Sequence, residues 1–435
     1  MAEFKNVGCI GAILFANTFL LLFYFYSLYQ QGPPGNIALS TISKYSPDQP
    51  GQEKYNSNSI WKKLDFLIEK FCNKDHQRYC RAEQLDRKNI PPDLTTDNVS
   101  NQALNTMKMS TLLIVIFNHD TNYATVPPLI YSIYGRLFKE IHFCGPNENR
   151  RNFTRDIEEK FQNAEIANFL TSFHYSYETN KKPIRSQLGE ISYICLEMAI
   201  EKWKSSSDQK LQGVFVMQDD VILNYWLFIE KNSTFSLQQN YSPPFNQIIF
   251  NVQTMKQCQK QSKKCSSQIG WPWANRYRSQ LRDFKRDFFE SDNFKAEREQ
   301  LKCATGGPFR MIGGWSDFYY VTGDNLVQLL KVFKVLAKND VYQEIAVPTA
   351  LAALPQAKFQ FVEPKFIQQG VGTAMVDNLK SLYNASGSLL YHPFKLSFVN
   401  LEKPSLGSYE NCLFCELSTY AWKFVDKHLT KKPIR

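Results

Sequence analysis

Several signatures that usually reveal an enzyme class are missing from this 435-residue chain. No Gly-x-Gly-x-x-Gly follows the first strand-like run and no Walker loop occurs, which disfavours dinucleotide oxidoreductases and P-loop enzymes. No long basic run marks a nucleic-acid-binding arm. Histidine is scarce, with six residues, and no second Cys-x-x-Cys accompanies Cys412-Leu-Phe-Cys415. A zinc half-site or redox pair there is therefore less favoured than a local disulfide or two separate bridges.

Apolar and aromatic side chains, by contrast, are abundant. Hydrophobic residues make up 43% of the chain, with 33 Phe and 22 Tyr, so a large core can form and global disorder is excluded. The length allows one large domain or two ordinary ones. The net charge of +10 arises from scattered residues, 51 basic and 41 acidic. Such an excess suits an anionic small molecule, an acidic polymer or a membrane surface, without selecting among them.

The N-terminus is the clearest single segment. Residues 7–29 give 23 positions without a charge, and at ~1.5 Å per residue such a helix exceeds the ~30 Å hydrocarbon core of a bilayer. A cleaved signal peptide is the alternative, but its apolar region spans about 7–15 residues. This run ends in Tyr24, Tyr26 and Tyr29, as in an interfacial aromatic belt. We therefore predict a cytoplasmic tail over residues 1–6 and a transmembrane signal anchor over 7–29.

The rest of the chain would then be lumenal, because Lys5 and the free amine favour a cytoplasmic N-terminus. Nine cysteines beyond the span permit disulfides, with Cys72/Cys80 and Cys258/Cys265 as plausible pairs. Five Asn-x-Ser/Thr sequons agree with that compartment. The sequons lie at Asn98, Asn152, Asn232, Asn240 and Asn384.

Polar stretches and periodic stretches divide the lumenal part. Residues 30–109 are predicted to form a stem with a helical segment near 60–84, where apolar residues recur at helical spacing. From residue 111 strand-like and helix-like runs alternate, which indicates an α/β domain with a mainly parallel sheet flanked by helices over 110–400. A C-terminal helical extension follows over 401–435. The predicted strands are 111–117, 140–145, 166–173, 214–218, 247–252 and 358–362, and the main predicted helices are 127–138, 184–204, 325–336 and 341–354.

One stretch, Val214-Phe-Val-Met-Gln-Asp-Asp-Val-Ile-Leu223, organises the prediction of function. Its apolar run predicts a buried strand that delivers Asp219 and Asp220 at its carboxyl end, where open α/β sheets bind ligands. Two carboxylates there are costly unless something neutralises them, and Mg²⁺ or Mn²⁺ prefers oxygen ligands. The alternative is an acidic turn that caps the next helix, or an ordinary salt-bridged pair.

Three further residues are candidates for contact with a nucleotide. Asn118 and Asp120 follow the first strand, where a base or ribose would lie, and capping of the next helix explains them equally well. Arg185 opens a helix-like stretch, and helix N-termini favour phosphates. A solvated basic loop is its equal alternative.

Together, the short tail, the anchor, the stem and the α/β domain with an acidic motif after its fourth strand resemble a Golgi-type glycosyltransferase. The domain resembles the GT-A nucleotide-sugar transferase fold over about residues 110–400. The Asp-x-Asp motif of that superfamily is replaced here by Gln218-Asp219-Asp220. The resemblance implies a Mn²⁺ or Mg²⁺ ion held by Asp220 with Asp219, and a nucleotide-sugar donor, with a UDP-sugar as the first choice.

The same resemblance suggests roles near the C-terminal side. Such folds often add a histidine to the metal shell, and His392 in Tyr391-His-Pro-Phe-Lys395 occupies a comparable place. Lys395 would face the diphosphate. A hydrogen-bonded or surface histidine and a solvated lysine are the plain alternatives.

For the proton that the acceptor hydroxyl must lose, the chain offers three carboxylates. Asp340 and Glu344 are four apart, so we expect them to share a helical face, with N-capping as the plain role of Asp340. Glu344 leads into a buried segment, and we predict it as the base, with Asp317 of the loop Gly313-Gly-Trp-Ser-Asp317 as the rival. Trp315 and Tyr319 are candidates for stacking on a sugar, although core packing is the more common role.

We therefore predict a type II, single-pass Golgi or ER membrane glycosyltransferase with a lumenal catalytic domain. It would move a sugar from a nucleotide-sugar donor to a glycan, glycoprotein or glycolipid acceptor. Two other classes stay open: a catalytically inactive transferase-like binding or scaffold protein, and a metal-dependent lumenal phosphotransferase or nucleotidyltransferase. No nucleic-acid partner is expected, and homo-oligomerisation is left open.

Overall fold

The computed structural model describes the part of the chain that carries the alternating strands and helices. The described ranges are 100–117, 126–135, 137–138, 140–146, 169–173, 192–206, 210–229, 234–244, 248–253, 278–355, 357–363, 365–366 and 389–392. All belong to one compact unit, Pro50–Arg435. The predicted tail, anchor and C-terminal extension, and the cysteine pairs proposed from sequence, lie outside these ranges. Within them, no helix has the length and apolar character needed to cross a membrane.

Twelve strands and seven α-helices lie in the described ranges. The strands are β1 (Thr111–Ile116), β2 (Glu140–Pro146), β3 (Phe169–Phe173), β4 (Gly213–Gln218), β5 (Ile222–Leu223), β6 (Asn240–Ser242), β7 (Ile248–Asn251), β8 (Arg310–Gly313), β9 (Phe318–Thr322), β10 (Phe359–Phe361), β11 (Lys365–Phe366) and β12 (Leu390–His392). The helices are α1 (Asn101–Ser110), α2 (Val126–Tyr134), α3 (Cys195–Ser206), α4 (Arg278–Phe284), α5 (Lys295–Thr305), α6 (Gly323–Lys338) and α7 (Gln343–Ala352). A π-helical turn, Lys285–Phe289, continues α4.

A seven-stranded mixed sheet lies at the centre, in the order β10-β6-β9-β4-β1-β2-β3. The four strands β3, β2, β1 and β4 run parallel, and so do β6 and β10, whereas β9 is antiparallel to both its neighbours. The predicted α/β class with a mainly parallel sheet flanked by helices is therefore confirmed. Two small sheets accompany it: β7 pairs with β8, and β11, β12 and β5 form a three-stranded sheet.

The order of strands creates a switch point between β1 and β4. From β1 the chain moves outward through β2 to β3 on one side, whereas β4 is added on the other side. In open α/β sheets, the connections that leave two such strands run in opposite directions. Ligands bind in the crevice between them, at the carboxyl ends of the strands. The two acids predicted from sequence follow β4 directly, so they lie at the carboxyl end of a strand beside this switch point.

Both faces of the sheet are covered because successive strand residues point to opposite sides. On one face, Val214 and Val216 of β4 join a large apolar cluster with α3, α6 and α7. On the other face, the ring of Phe215 lies 4.3 Å from that of Tyr320 and 5.1 Å from that of Phe228, measured between centroids. This double burial explains why all six residues of β4 are buried.

The described structure includes the last part of the stretch predicted as stem. In α1, Leu104 and Met107 are buried, and the Ser100 backbone N–H donates to the Ile229 carbonyl at 2.7 Å. The Ser100 hydroxyl accepts from Ala103 N and so caps the helix. The sequence pattern missed this helix because only two of its ten residues are buried.

A disulfide joins Cys144 of β2 to Cys195 at the start of α3. Both cysteines are fully buried, and 51 positions separate them in the chain. The sequence analysis paired only cysteines that are close in the chain, so it did not predict this disulfide. The bridge ties a central strand to a helix that covers it.

The side chain of Asn240, one of the predicted sequons, hydrogen-bonds to neighbouring strands. Its side chain is 4% exposed, its Oδ1 accepts from Thr322 N at 2.9 Å and from the Thr322 hydroxyl at 3.1 Å, and its Nδ2 donates to Lys358 O at 3.1 Å. In the folded protein this amide therefore bridges β6 to β9 and to the start of β10, and offers no accessible nitrogen for a glycan.

Removing the disulfide should lower stability. We expect the double variant Cys144→Ala/Cys195→Ala of the full chain to lose about 2–4 kcal/mol of unfolding free energy, because a long loop is no longer closed in the unfolded state. Urea unfolding measures the loss. The matched control is Cys303→Ala, which removes an exposed free thiol and should stay within about 0.5 kcal/mol of the natural chain. Equal midpoints for the two variants would refute the structural role.

Candidate functional site

The acid turn, defined as Asp219 and Asp220, follows β4 without a break. The two residues are 3% and 2% exposed. The Asp219 backbone N–H donates to the Ile116 carbonyl at 2.9 Å, which fastens the turn to the end of β1. The turn therefore spans the switch point, and the prediction that both acids lie at the carboxyl end of a buried strand is confirmed.

A distant segment brings His392 to this turn. Strand β12 pairs antiparallel with β5, with Leu390 opposite Leu223 and Tyr391 opposite Ile222. Because β5 begins two residues after Asp220, this register sets His392 beside the acids. Its Nε2 lies 3.5 Å from Asp220 Oδ2. The structure thus brings His392 next to Asp220, and their proposed role as metal ligands stays a prediction.

Asp317 reaches the same imidazole from β9's side. The Gln218 backbone N–H donates to the Asp317 carbonyl at 2.9 Å, extending the β4–β9 pairing by one residue. Asp317 Oδ2 lies 3.9 Å from His392 Nε2. The Trp315 ring, partly exposed, has its centroid 6.2 Å from that of His392. The acid turn, the loop of Trp315 and Asp317, and strand β12 thus meet at His392.

This cluster offers carboxylate oxygens and an imidazole nitrogen, which are donors that divalent first-row metals accept. In the described ranges, however, no three His, Cys, Asp or Glu side chains form a complete metal-holding group by themselves. Two buried polar atoms nearby, Gln218 Oε1 and Ser316 Oγ, have no hydrogen-bond partner within the described part of the chain. A metal ion at this cluster would therefore need further ligands from a bound molecule or from water.

Helix α7 is docked against the loop that carries Trp315 and Asp317. Pro348 has no N–H, so the carbonyl of Glu344, four residues earlier, lacks its helical donor. The Gly314 N–H fills that place at 2.8 Å. The buried Thr349 hydroxyl accepts from Ile312 N at 3.0 Å and donates to Ile312 O at 3.1 Å, as a neighbouring strand would. Glu344 is thereby tied to this loop.

The prediction that Asp340 and Glu344 share a helical face is wrong. α7 begins at Gln343, with Tyr342 in the N-cap position, so Asp340 precedes the helix and does not cap it. Asp340 is exposed and has a φ of +48°, the left-handed conformation that aspartate tolerates better than most residues. It occupies the turn between α6 and α7, where its charge adds to burial in raising the pKa of Tyr193.

The other predicted site residues divide into two groups. Tyr319 is 1% exposed and belongs to the core, which rules out stacking on a sugar. Trp315 keeps partial exposure beside His392. The candidates that lie outside the described residues are Asn118, Asp120, Arg185 and Lys395.

Sequence reasoning missed the residues that hold the site together. The Asn224 N–H donates to Leu389 O at 2.9 Å, and its side chain hydrogen-bonds Tyr391. Burial raises the pKa of Tyr391, and that hydrogen bond offsets part of the rise. On the other side of β5, Tyr134 contacts Leu223. The available signal was a polar residue, Asn224, directly after the apolar run that ends at Leu223.

No protein-family model matches this chain. No curated protein matches it at a significant level either. The function is therefore inferred from the geometry of the chain's own residues.

The docking of α7 can be tested through Thr349. We expect Thr349→Val to cost about 1–3 kcal/mol of unfolding free energy, because the isosteric side chain leaves the buried N–H and C=O of Ile312 without partners. Thr349→Ser keeps the hydroxyl and loses only a methyl, about 0.8 kcal/mol. Urea unfolding of the full chain compares them. A Ser variant as unstable as the Val variant would contradict the role of the hydroxyl.

Proposed function

We propose that this protein is a glycosyltransferase that uses a nucleotide-sugar donor and a divalent metal ion. The observation that carries the proposal is the acid turn at the switch point of the sheet, with His392 Nε2 3.5 Å from Asp220 Oδ2. A buried acidic pair with a neighbouring imidazole, placed where open sheets bind ligands, suits an anionic ligand only when a cation mediates.

The fold supports the finer, GT-A-like form of the proposal. The described sheet is mixed and mostly parallel, and the acid turn follows its fourth strand in chain order. Both features agree with the resemblance drawn from sequence. Fold alone hosts many activities, so the weight of the proposal stays on the residues at the crevice.

Asp220 and His392 would hold the metal, with Asp219 beside them. The donor set fits Mn²⁺, which accepts carboxylate and imidazole ligands, and also Mg²⁺, which typically takes one or two carboxylates and completes its shell with substrate phosphates and water. When bound, the ion supplies Lewis-acid neutralisation of the leaving diphosphate. The chain's contribution is to orient these ligands through β5 and β12.

The acceptor side would be formed by the loop of Trp315 and Asp317 and by α7. Glu344 lies in the first turn of α7, where the helix dipole favours an ionised carboxylate. Its backbone carbonyl accepts from the Gly314 N–H, which ties this turn of the helix to the loop. Asp317 Oδ2 lies 3.9 Å from Nε2 of His392, one of the proposed metal ligands. We therefore assign proton removal from the acceptor hydroxyl to Glu344 and keep Asp317 as its rival.

The proposed setting is the lumen of the Golgi or ER, with the chain held by its predicted signal anchor. The buried Cys144–Cys195 disulfide supports an oxidising compartment, because cytosolic proteins rarely keep structural disulfides. Acceptors in that compartment are glycans, glycoproteins and glycolipids.

Donor binding tests the proposal directly. The full chain in detergent is titrated with UDP-, GDP- and CMP-sugars, with and without Mn²⁺. We expect Mn²⁺-dependent binding of one donor class, a UDP-sugar first, and a loss of at least about tenfold in affinity in Asp220→Asn, equivalent to about 1.4 kcal/mol. Asp324→Asn, which changes an aspartate whose side chain is 81% exposed, is the matched control and should bind normally.

The outcomes separate the three classes. Folded protein that binds no donor in any condition would favour the inactive binding or scaffold protein. Transfer of phosphate or of a nucleotidyl group in place of the sugar would favour the phosphotransferase or nucleotidyltransferase class. Binding that is unchanged in Asp220→Asn would remove the acid turn from the site.

The base has its own test. We expect Glu344→Gln to bind donor normally and to lose about 10²–10⁴-fold in turnover, measured as release of the nucleoside diphosphate, because general base catalysis contributes that much. Glu299→Gln, which alters a carboxylate 66% exposed on α5, is the control. If Asp317→Asn loses turnover with donor binding intact and Glu344→Gln does not, Asp317 is the base.

A further inference from the structure

The strand that follows the acid turn has only two residues, yet it connects the turn to the strand that carries His392. β5 consists of Ile222 and Leu223, and within the described ranges β12 is the strand that pairs with it. The Asn224 N–H donates across this pair to Leu389 O at 2.9 Å. Because backbone groups alternate in direction along a strand, the N–H and C=O of Leu223 point to the opposite edge. There β5 needs another partner.

Tyr134 supplies that partner with one hydroxyl group. Its Oη accepts from Leu223 N at 2.9 Å and donates to Leu223 O at 3.3 Å. Both contacts are buried, and Leu223 is fully buried as well. Buried backbone groups require partners, so the hydroxyl performs the role of a neighbouring strand. β5 is thereby held between α2, which ends at Tyr134, and β12.

The Tyr134 hydroxyl stays protonated under all ordinary conditions. Burial raises its pKa above the usual value for tyrosine, so the group keeps both its donor and its acceptor function. The ring of Tyr225 meets it edge-on, with 5.9 Å between centroids, and helps to fix its orientation. The support that Tyr134 gives to β5 therefore does not depend on pH near neutrality.

We propose that Tyr134 is a positioning residue that fixes His392 against Asp220 through β5 and β12. The inference rests on the proposed metal-dependent function and deepens it. Asp220 lies two residues before β5, and His392 ends β12, so the register of these two short strands sets the separation of the two metal ligands. A β5 released from α2 would let that separation vary. Residues that do not bind the metal but hold its ligands in place usually affect the affinity for the metal.

Mn²⁺ binding to the full chain tests the proposal without any catalytic readout. Electron paramagnetic resonance of free Mn²⁺ gives the affinity. We expect Tyr134→Phe to raise the dissociation constant about tenfold, as is usual when a supporting group behind a metal ligand is lost. Tyr320→Phe is the matched control, because it removes another buried hydroxyl. That hydroxyl donates to the Leu237 carbonyl in a hydrogen bond of 2.9 Å, and not to β5. Its affinity should match that of the natural chain.

A double variant separates positioning from general loosening. In a His392→Ala background the relative placement of the two ligands no longer matters, so adding Tyr134→Phe should leave Mn²⁺ affinity unchanged. A further drop there would overturn the proposed route through His392. Equal affinity of Tyr134→Phe and the natural chain would overturn the inference alone. No Mn²⁺ binding by the natural chain would overturn the metal part of the proposed function and this inference with it.

Hydrogen exchange keeps the proposal open to refutation even if Tyr134→Phe fails to fold. In the natural chain the amides of Leu223, bound to Tyr134, and Asn224, bound to Leu389, should exchange slowly and at similar rates, because one opening event releases both. Overlapping peptides measured by mass spectrometry resolve them. Fast exchange at Leu223 with protection at Asn224 would show that Tyr134 does not hold β5.

Discussion

The burial of two carboxylates at the end of a fully buried strand is the constraint on which the rest of the site depends. Asp219 and Asp220 are nearly inaccessible, and they follow six buried residues of β4. Charges in such a place require compensation. The fold brings His392 to Asp220 from a segment about 170 positions later in the chain, and Asp317 approaches the same imidazole. The surrounding strands serve to keep these groups together.

Side chains replace missing strand partners at both sides of this site. Tyr134 satisfies Leu223 with one hydroxyl, and Thr349 satisfies Ile312 in the same way. Pro348 contributes a third hydrogen bond indirectly: it has no N–H, so the carbonyl of Glu344 accepts from Gly314 instead. Helices α2 and α7 are thereby fastened to short strands and loops by directional bonds rather than by apolar packing alone. Directional bonds define distances more narrowly than apolar contact, and a metal or a proton transfer requires defined distances.

The chemistry proposed for the site assigns different steps to the different elements that meet there. Asp220 and His392 lie at the switch point, where an anionic donor would sit, whereas Trp315 and Glu344 belong to the loop and helix beside it. A transferase needs such a division, because the leaving group and the attacking hydroxyl must be handled by different groups on the two sides of the reacting carbon. The disulfide between β2 and α3 adds support for a lumenal setting.

The sequence alone predicted β1 to β4 and the acid turn, whereas the short strands β5 and β12, which set His392 beside Asp220, were not among the predicted strands. β1 and β4 are continuous apolar runs, and such runs in a chain with intervening helices form a buried, mainly parallel sheet; Asp219 and Asp220 could be placed at its edge because they follow β4 directly. Only the tertiary structure decided which distant groups meet there. The Cys144–Cys195 bridge, the Tyr134 support of β5 and the approach of Asp317 to His392 join residues 51 or more positions apart, and local periodicity carries no information about such pairs. The left-handed turn at Asp340 likewise depends on how α6 and α7 pack, so the helix boundary that it sets was beyond the reach of spacing alone.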